Sequence, residues 1–536
     1  MANLSMEFRF SNSDHSWMET LGIKADCVQH QIDTLRQGNF YARLIRPCTL
    51  FDGVRQISGQ DLARYIELHA TAAARGRFKK FVPASGAATR MFQSLLTIFH
   101  LPQYLETDEL QKRVNQGVNI ACDFKQFIDE LERFPFTADL EKTLARSGHS
   151  LGELVRSGRF TTLLEYLLTQ TGINYRNLPK ALLPFHSYPG EKRTAFEEQL
   201  HEAMGYMQTE NASVHFTIPE DHLNAFLALE REVCQRMSQR WGATFDISFS
   251  FQSSSTNTIC IDMNGMPLRD KLGRLHFRPS GHGALIKNLG DLNADLVYIK
   301  NIDNVVPDRL KEPVHFWKKA LGGYLVWIQQ SVHSLLHHLT GSQWSQAVPD
   351  AVSFASRELL IDFPTGFETW LEGRKQSFLL HALDRPIRVC GVVPNDGEPG
   401  GAPFWVEGEN GTQVLQIIES AQVDLNCEEQ RHIWNSSTHF NPVDIVCCLK
   451  NFEGKPFDLK KFVDPRAVII SKKSIDGTDV RVLERPGLWN GAMAEWITVF
   501  VEVPKITFNP VKSIFDLLRP EHQPQENPQS CQHSTV

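Results

Sequence analysis

The chain has 536 residues, of which 42% are hydrophobic and 22% charged, a composition typical of a soluble globular protein with room for two or more domains. The formal net charge of -7 disfavours general nucleic-acid binding, so we expect no nucleic-acid partner and only local basic groups near any phosphate site. No run of about 18 apolar residues occurs, so neither a membrane-spanning helix nor a membrane partner is expected.

The cysteines indicate a reducing compartment. None of the ten has C-x-x-C spacing, and Cys447 and Cys448 are adjacent, which disfavours a bridge between them. We therefore predict reduced thiols and a cytoplasmic protein. The first residues lack a basic segment followed by an apolar stretch, so no signal peptide is expected.

The first 76 residues are predicted to form a small helical region. Helices are expected over 26–38 and 58–75. Ser58 and Asp61 resemble a capping box at the start of the second helix. No residue pattern in this region points to chemistry.

A short strand, a turn of small residues and a helix start follow one another between Lys79 and Met91. The strand is Phe81-Val82 and the turn is 84–88. Such a turn can bind an anion, because helix-start amides point outward and small side chains let a phosphate approach. Arg90 adds a guanidinium group suited to phosphate oxygens. An ordinary strand-to-helix turn is the alternative. The pattern is neither a P-loop nor a G-x-S-x-G nucleophile elbow.

A helical stretch and a proline-framed segment come next. Residues 92–172 are rich in Leu, Phe, Glu and Lys and are predicted to be helical. Pro179 and Pro184 then frame an extended segment that contains Lys180. Strands predicted at 214–218 and 244–251 alternate with helices, which indicates a mainly parallel sheet with helices on both faces.

Polar residues follow a further predicted strand, 294–300. Before it, a glycine-bracketed loop at 278–285 leads into a helix, and after it comes Asp303. Open α/β sheets bind ligands at the carboxyl ends of their strands. Asp303 is therefore a candidate Mg²⁺ ligand that would share the ion with a substrate phosphate. The alternative is an Asx turn that closes the strand.

The remainder of the chain is predicted to be helical and then β-rich. His333, His337 and His338 lie in the helical part, but no Glu completes an H-E-x-x-H pattern, so a solvated or packed helix face is expected rather than a zinc site. The tail, 520–536, is polar and rich in Pro and Gln, and is predicted to be disordered.

Several short motifs, taken in order, resemble those of the sugar nucleotidyltransferases, most closely the UDP-sugar pyrophosphorylases. That family's loop Ala-Gly-Gly-x-Gly-Thr-Arg corresponds to Ala84–Arg90, and its Pro-Lys pair to Pro179-Lys180. Its Pro-Gly-His-Gly loop resembles Pro279–Gly283, its strand-end Asp-Asn is Asp303-Asn304, and its base-side glutamine corresponds to Gln252.

The second half of the chain carries further matches in the same order. Glu-x-x-Gln-Val resembles 419–423, Phe-Asn-Thr-Asn resembles 439–441, and Asn-x-Lys resembles 471–473. The most specific match is Val-Pro-Arg-x-Arg-Phe-x-Pro-Val-Lys, which corresponds to 503–512. The resemblance extends over about 79–518. The chain also resembles members of an uncharacterised bacterial domain-of-unknown-function family.

This resemblance implies an α/β fold: a Rossmann-like, glycosyltransferase-A-type nucleotidyltransferase core with a mixed, mostly parallel sheet, helical insertions and a β-rich C-terminal part. The implied division is a helical N-terminal region 1–76, a nucleotide-binding core 77–310 with a helical insertion 92–176, a helical segment 311–385, a β-rich sugar-phosphate-side part 386–519 and the tail 520–536.

The resemblance also implies an enzyme that joins a nucleoside triphosphate (UTP-like) and a sugar 1-phosphate, with Mg²⁺ as cofactor, into a nucleotide sugar and pyrophosphate. Asp303 would hold the metal. The implied catalytic residues are Arg90, Lys180, Lys472 and Lys512. The implied nucleotide-binding residues are Ala84, Ser85, Gly86, Thr89, Gln252, Gly281, His282 and Gly283. Glu419 and Asn441 would bind the sugar phosphate. Which of Lys472 and Lys473 points inward is open.

Two departures from the family pattern leave alternatives open. Ser85 and Ala88 replace two glycines of the loop, and a helical insertion separates the loop from Pro179-Lys180. A catalytically degenerate nucleotide-sugar-binding protein is therefore the main alternative. A glycosyltransferase is a weaker one, because Asp303-Asn304 does not supply an Asp-x-Asp motif.

Overall fold

A computed structural model describes residues 8–207, 211–397, 400–408, 411–475 and 477–524. Of the predicted disordered tail, only 520–524 fall in this range, and the rest of that prediction lies outside the described residues. None of the helices in the described ranges is both long enough and apolar enough to cross a membrane.

The strands of the described residues are numbered in chain order. They are β1 (Leu44–Pro47), β2 (Thr49–Leu50), β3 (Gly53–Arg55), β4 (Phe78–Pro83), β5 (Pro184–Tyr188), β6 (Glu191–Thr194), β7 (Asn211–Thr217), β8 (Thr244–Ser250), β9 (Thr258–Asp262), β10 (Phe277–Arg278), β11 (Leu296–Lys300), β12 (Ile387–Pro394), β13 (Ala402–Glu407), β14 (Gln413–Ile418), β15 (His439–Cys448), β16 (Ile469–Ile475), β17 (Thr478–Glu484) and β18 (Ile497–Glu502).

The α-helices of the described residues are likewise numbered along the chain. They are α1 (Asn12–Leu21), α2 (Ala25–Gln37), α3 (Gly59–Ala74), α4 (Gln93–Phe99), α5 (Thr107–Asn115), α6 (Asn119–Asp129), α7 (Thr137–Arg146), α8 (Leu151–Arg156), α9 (Phe160–Leu168), α10 (Ala195–Met207), α11 (Leu223–Trp241), α12 (Ile286–Asp291), α13 (Lys311–Thr340), α14 (Trp344–Arg357), α15 (Glu372–Leu383) and α16 (Glu428–Asn435).

A nine-stranded mixed sheet forms the centre of the fold, in the order β2-β3-β18-β12-β15-β11-β4-β7-β8. Strand β15 runs antiparallel to both neighbours, and the other pairs are parallel. The four strands predicted at 81–82, 214–218, 247–251 and 296–299 are β4, β7, β8 and β11. The predicted α/β fold with a mixed, mostly parallel sheet is confirmed.

Both faces of the central sheet are covered, which explains why the first four residues of strand β11 are all apolar. Successive strand residues point to opposite faces. Leu296 and Tyr298 pack into the cluster that includes residues of α3, α10 and α13. Val297 and Ile299 pack into a second cluster with residues of α12 and β14. A strand buried on both faces favours apolar residues on both sides, and the exception in β11, Lys300, is paired with buried carboxylates.

Helices α4–α9 occupy the predicted insertion, and α13–α15 occupy the predicted helical segment 311–385. The helix expected to open at Thr89 does not begin there. A single 3₁₀ turn, Ala88–Arg90, comes first, and α4 begins at Gln93. The Met91 amide donates to the Ala88 carbonyl within this turn (2.8 Å), and the Ala88 amide donates to the Leu178 carbonyl (3.0 Å), which ties the loop to the segment before Lys180.

Beside the central sheet, the described residues form the two-stranded antiparallel sheet β5-β6. Two further antiparallel sheets have three and four strands. One is β1-β13-β14, and the other is β10-β9-β17-β16, which packs on α1 and α2. The N-terminal region expected to be helical also contains β1, β2 and β3. These short strands form because β13 and β18, distant in sequence, offer them hydrogen-bonding edges.

Candidate functional site

Three charged side chains from distant segments meet at one point. The Lys180 ammonium lies 3.0 Å from Asp303 Oδ2, across 123 positions of sequence. The Lys512 ammonium lies 3.0 Å from Asp303 Oδ2 and 3.3 Å from Oδ1, across 209 positions. The motifs that predicted these residues are thus adjacent in the fold.

Asp303 is placed by the turn that follows β11. Its carbonyl accepts the Val511 amide (3.0 Å), and the Asn304 side chain accepts the Asn509 amide (2.9 Å), so the turn is joined to the segment of Lys512. The Asp303 carboxylate bonds to two lysines and to no turn amide within the described residues. The Asx-turn interpretation is therefore wrong.

The Asp303 carboxylate is ionised. Burial would raise its pKa, but the charges of Lys512 and Lys180 and their hydrogen bonds outweigh burial and hold the pKa below its ordinary value. Its side chain is only 9% exposed, and those of Lys180 and Lys512 are 13% and 55% exposed. Two cations on one carboxylate leave a net positive site, which suits a polyanionic ligand.

The loop 84–90 borders this site. The Gly86 carbonyl accepts the Lys180 amide (3.1 Å), and the Met91 carbonyl accepts the Ile514 amide (3.0 Å) close to Lys512. Within the described residues, the amides of the consecutive positions 85–87 make no hydrogen bond. Unpaired backbone amides flanked by small side chains can donate hydrogen bonds to an anion. Arg90 is exposed at the end of this loop.

Two of the predicted loop residues form hydrogen bonds that hold the loop in place. Ala84 is buried, and its amide donates to the Thr217 carbonyl at the end of β7 (2.8 Å). The Thr89 hydroxyl donates to the Arg176 carbonyl (3.3 Å). Ala84 and Thr89 therefore shape the loop, while 85–87 present its amides.

The loop around His282 packs on a tryptophan that sequence reasoning missed. The rings of His282 and Trp489 stack with centroids 4.1 Å apart and planes inclined by 13°. His282 Nδ1 accepts the Leu488 amide (3.0 Å). Burial lowers the pKa of His282 to about 4, so the imidazole is neutral near pH 7. The glycine-bracketed run Pro486–Gly491 was the available sequence signal for this partner loop.

The glycines beside His282 are required for different reasons. Gly281 has a φ of +76°, a left-handed conformation that favours glycine. A Cβ on Gly283 would lie 2.1 Å from the Pro486 carbonyl oxygen. Asn288 of α12 donates to the Ser250 hydroxyl and to the Phe251 carbonyl (2.8 and 2.9 Å), which fixes the His282 loop at the carboxyl end of β8.

Glu419 lies in the same neighbourhood. Burial raises its pKa despite hydrogen bonds from Trp489 and Asn490, and the charge of Glu484 raises it further. Glu484 Oε2 is 3.0 Å from the position that a Cβ on Gly281 would take. Sequence reasoning missed Glu484, Trp489 and Asn490, because these positions match none of the family's motifs.

Asn441, a predicted sugar-phosphate ligand, is held in place by hydrogen bonds to the backbone. Its Nδ2 donates to the Gly391 carbonyl (3.1 Å), and its Oδ1 accepts the Val443 amide (3.0 Å). Its own amide donates to the Gly401 carbonyl (2.9 Å). The amide nitrogen of Gln252 is buried and makes no hydrogen bond within the described residues.

The two lysines of β16 lie on opposite faces of their sheet. Lys473 Nζ is 3.5 Å from Glu484 Oε1, on the side of the Gly281 loop. Lys472 is exposed and pairs across the strands with Arg481, which donates to the Leu35 carbonyl at the α2 face. Lys473, not Lys472, is therefore on the side of the His282 loop. A role for either lysine in the reaction stays a prediction.

The predicted Mg²⁺ site draws on one protein carboxylate. No group of three or more His, Cys, Asp or Glu side chains that could hold a metal occurs among the described residues. Mg²⁺ is often bound by one or two carboxylates together with water and substrate phosphates. The ionised Asp303 carboxylate fits that mode. Asp303 as a magnesium ligand stays a prediction.

The fold and site define an α/β protein with two lysines on a buried aspartate at the carboxyl end of a strand of a mixed sheet. The chain matches the family described as Domain of unknown function (DUF4301) over residues 11–523, and it belongs to that family. The predicted membership of a domain-of-unknown-function family is thereby confirmed. No curated protein matches the chain.

Solved structures similar to this chain include three from trypanosomatids. A UDP-N-acetylglucosamine pyrophosphorylase from Trypanosoma brucei, in complex with an inhibitor, has 11% identity and a TM-score of 0.47, covering 95% of this chain and 79% of that one. A mutant UDP-glucose pyrophosphorylase from Leishmania major, in complex with UDP-glucose, has 12% identity, a TM-score of 0.44 and the same coverages. A UDP-glucose phosphorylase from Trypanosoma brucei has 13% identity and a TM-score of 0.44, covering 95% and 80%.

Proposed function

We propose that this chain transfers a nucleotidyl group from a nucleoside triphosphate to a sugar 1-phosphate, forming a nucleotide sugar and releasing pyrophosphate. The observation that carries the proposal is the meeting of Lys180 and Lys512 on Asp303, beside the unpaired amides of 85–87. These segments match motifs that occur in the same order in sugar nucleotidyltransferases.

The charged groups at Asp303 supply what such a reaction needs. An oxygen of the sugar phosphate attacks the α-phosphorus, and the bond to the pyrophosphate oxygen breaks. No covalent intermediate with the protein is required, so positioning and charge neutralisation supply the rate. Lys180, held with little exposure, would neutralise the α-phosphate. Arg90, exposed on the rim of the loop, would contact the leaving pyrophosphate.

Asp303 would hold Mg²⁺ together with phosphate oxygens. Bound there, the ion would neutralise charge that develops on the phosphates. The rest of the phosphate contacts would come from the chain itself: the amides of 85–87 donate hydrogen bonds, and Lys512 offers a half-exposed ammonium group within reach of the same oxygens.

The His282 loop, at the same carboxyl end of the sheet, would receive the nucleoside and sugar. The stacked rings of His282 and Trp489 offer an aromatic edge against which a base or ribose could pack. Gln252 carries a buried amide nitrogen without a partner in the described residues, which suits base recognition. Glu419, with its raised pKa, would bond to sugar hydroxyls.

The test is Mg²⁺-dependent pyrophosphate exchange over a panel of nucleoside triphosphates and sugar 1-phosphates. Asp303→Asn and Lys180→Met should each lower turnover on the order of 10²-fold or more, because each removes a positioned charge. His333→Ala is the control. His333 lies in a separate groove with Arg77 and Asp295. These two residues directly precede β4 and β11, so the groove lies at the amino ends of the strands, opposite the end that carries Asp303.

A degenerate nucleotide-sugar-binding protein is the competing function. Ser85 and Ala88 stand where the family has glycines, which favours this alternative. Tight binding of a nucleotide sugar without exchange under any pairing would support it. Exchange that survives Asp303→Asn would instead place the metal ligand elsewhere.

A further inference from the structure

The two lysines on Asp303 are held differently. The Lys180 ammonium also donates to the Val511 carbonyl (2.8 Å), and its side chain is 13% exposed. The Lys512 ammonium bonds only to Asp303 within the described residues, and its side chain is 55% exposed. If Lys180 moved away, the Val511 carbonyl would lose its hydrogen-bond donor and a largely buried ammonium group would lose its partners. If Lys512 moved away, its ammonium group would be hydrated by water.

The lysines and a metal ion compete for the same atoms. Lys512 contacts both carboxylate oxygens of Asp303, and Lys180 contacts Oδ2. A divalent cation at Asp303 would need at least one of these oxygens, and it would meet the ammonium charge at close range. One lysine must therefore move off the carboxylate, and the contacts identify Lys512 as the lysine that moves more easily.

We propose that Lys512 is a displaceable counter-ion of Asp303, which keeps a free divalent cation off the carboxylate until a phosphate ligand draws Lys512 away. The metal then enters together with the polyphosphate, and Lys512 moves from the carboxylate to a phosphate oxygen. The second step rests on the proposed function. The first concerns the protein without nucleotide and holds independently of any turnover.

The experiment measures Mn²⁺ binding to the full chain without nucleotide, by electron paramagnetic resonance of the free ion. Lys512→Met should tighten Mn²⁺ binding about tenfold or more, since it removes a cation next to the ligand while solvent screening limits the gain. Adding Asp303→Asn to Lys512→Met should abolish the gain. Lys512→Gln is the second variant and should behave as Lys512→Met does.

Lys505→Met is the matched control. Lys505 lies on the same segment as Lys512, and its ammonium group pairs with Asp396, away from Asp303. The substitution removes that ammonium group. It should leave Mn²⁺ binding as in the wild type. The proposal is overturned if Lys512→Met and Lys512→Gln bind Mn²⁺ no more tightly than the wild type, or if the gain persists in the double variant. Because no substrate is present, absence of pyrophosphate exchange would count against the proposed function alone.

Discussion

The ammonium group of Lys80 lies 3.1 Å from the carboxylate of Glu202, and both side chains are at most 1% exposed. Glu202 also contacts Lys300 (3.2 Å) and Lys318 (3.6 Å), and Asp444 completes the cluster through Lys318 and Lys300. This buried group joins β4, β11 and β15 to α10 and α13. It lies directly before the Asp303 turn, because Lys300 is the last residue of β11.

Glu202→Gln is expected to destabilise the protein strongly. The change would leave Lys300 and Lys318 on the one remaining carboxylate, that of Asp444, and Lys80 without its acidic partner. Removal of one partner from a buried ion pair costs about 3–5 kcal/mol. Denaturant unfolding measures the loss. Asp129→Asn on α6 is the control, because its partner Lys125 is exposed and such pairs contribute about 0.5 kcal/mol or less. Equal stability of Glu202→Gln and the wild type would show that the cluster does not hold the sheet to the helices.

The sequence predicted the strands and the charged centre better than it predicted the surroundings. Lys180, Asp303 and Lys512 belong to short motifs that resemble those of sugar nucleotidyltransferases. The burial of helix α10 was not predicted, because the lysines that neutralise Glu202 come from two strands and from helix α13, all far away in sequence. Polar residues at such positions ordinarily indicate a solvated face.

The sequence also did not show which of two adjacent lysines faces the His282 loop. Lys472 and Lys473 are equivalent in the sequence, and only the register of β16 against β17 places Lys473 beside Glu484. Trp489 was missed because its contact with His282 joins two irregular loops about 200 positions apart, for which no periodicity exists.

Trp489→Ala should weaken nucleotide binding about tenfold, if the base or ribose packs on the stacked rings as proposed. Trp489→Phe should retain most of the affinity, because it keeps an aromatic surface beside His282. Isothermal titration with the nucleotide that the exchange panel identifies measures both variants. Similar affinity of the alanine variant and the wild type would place the nucleoside away from this ring pair.

His282 should make stability depend on pH in the acid range. Its folded-state pKa of about 4 lies below the ordinary 6.5, so between these values the unfolded chain binds a proton that the folded chain does not. Stability contributed by the neutral ring is complete above about pH 6.5 and is lost as the pH falls towards 4, by up to about 3 kcal/mol. The difference between wild type and His282→Phe in denaturant unfolding at several pH values isolates this contribution. A difference that does not change with pH between 4 and 6.5 would contradict the assignment.

Gly86→Ala and Gly283→Ala separate binding from folding at the two loops. A Cβ on Gly86 meets nothing within 4 Å, and its φ is not positive, so the variant should keep wild-type stability to within about 0.5 kcal/mol. A Cβ on Gly283 would lie 2.1 Å from the Pro486 carbonyl oxygen, so the backbone must shift, at a cost of about 1–3 kcal/mol.

The binding result for Gly86→Ala tests the phosphate loop directly. Its methyl group would project from the run of unpaired amides at 85–87, where a bound phosphate must approach the backbone closely. Triphosphate affinity should therefore fall about tenfold while the unfolding transition stays unchanged. Fluorescence titration with a triphosphate and denaturant unfolding on the same sample give both quantities. Unchanged triphosphate affinity in Gly86→Ala would mean that the phosphates do not lie over this loop, and Lys180 and Lys512 would then have to hold them without its amides.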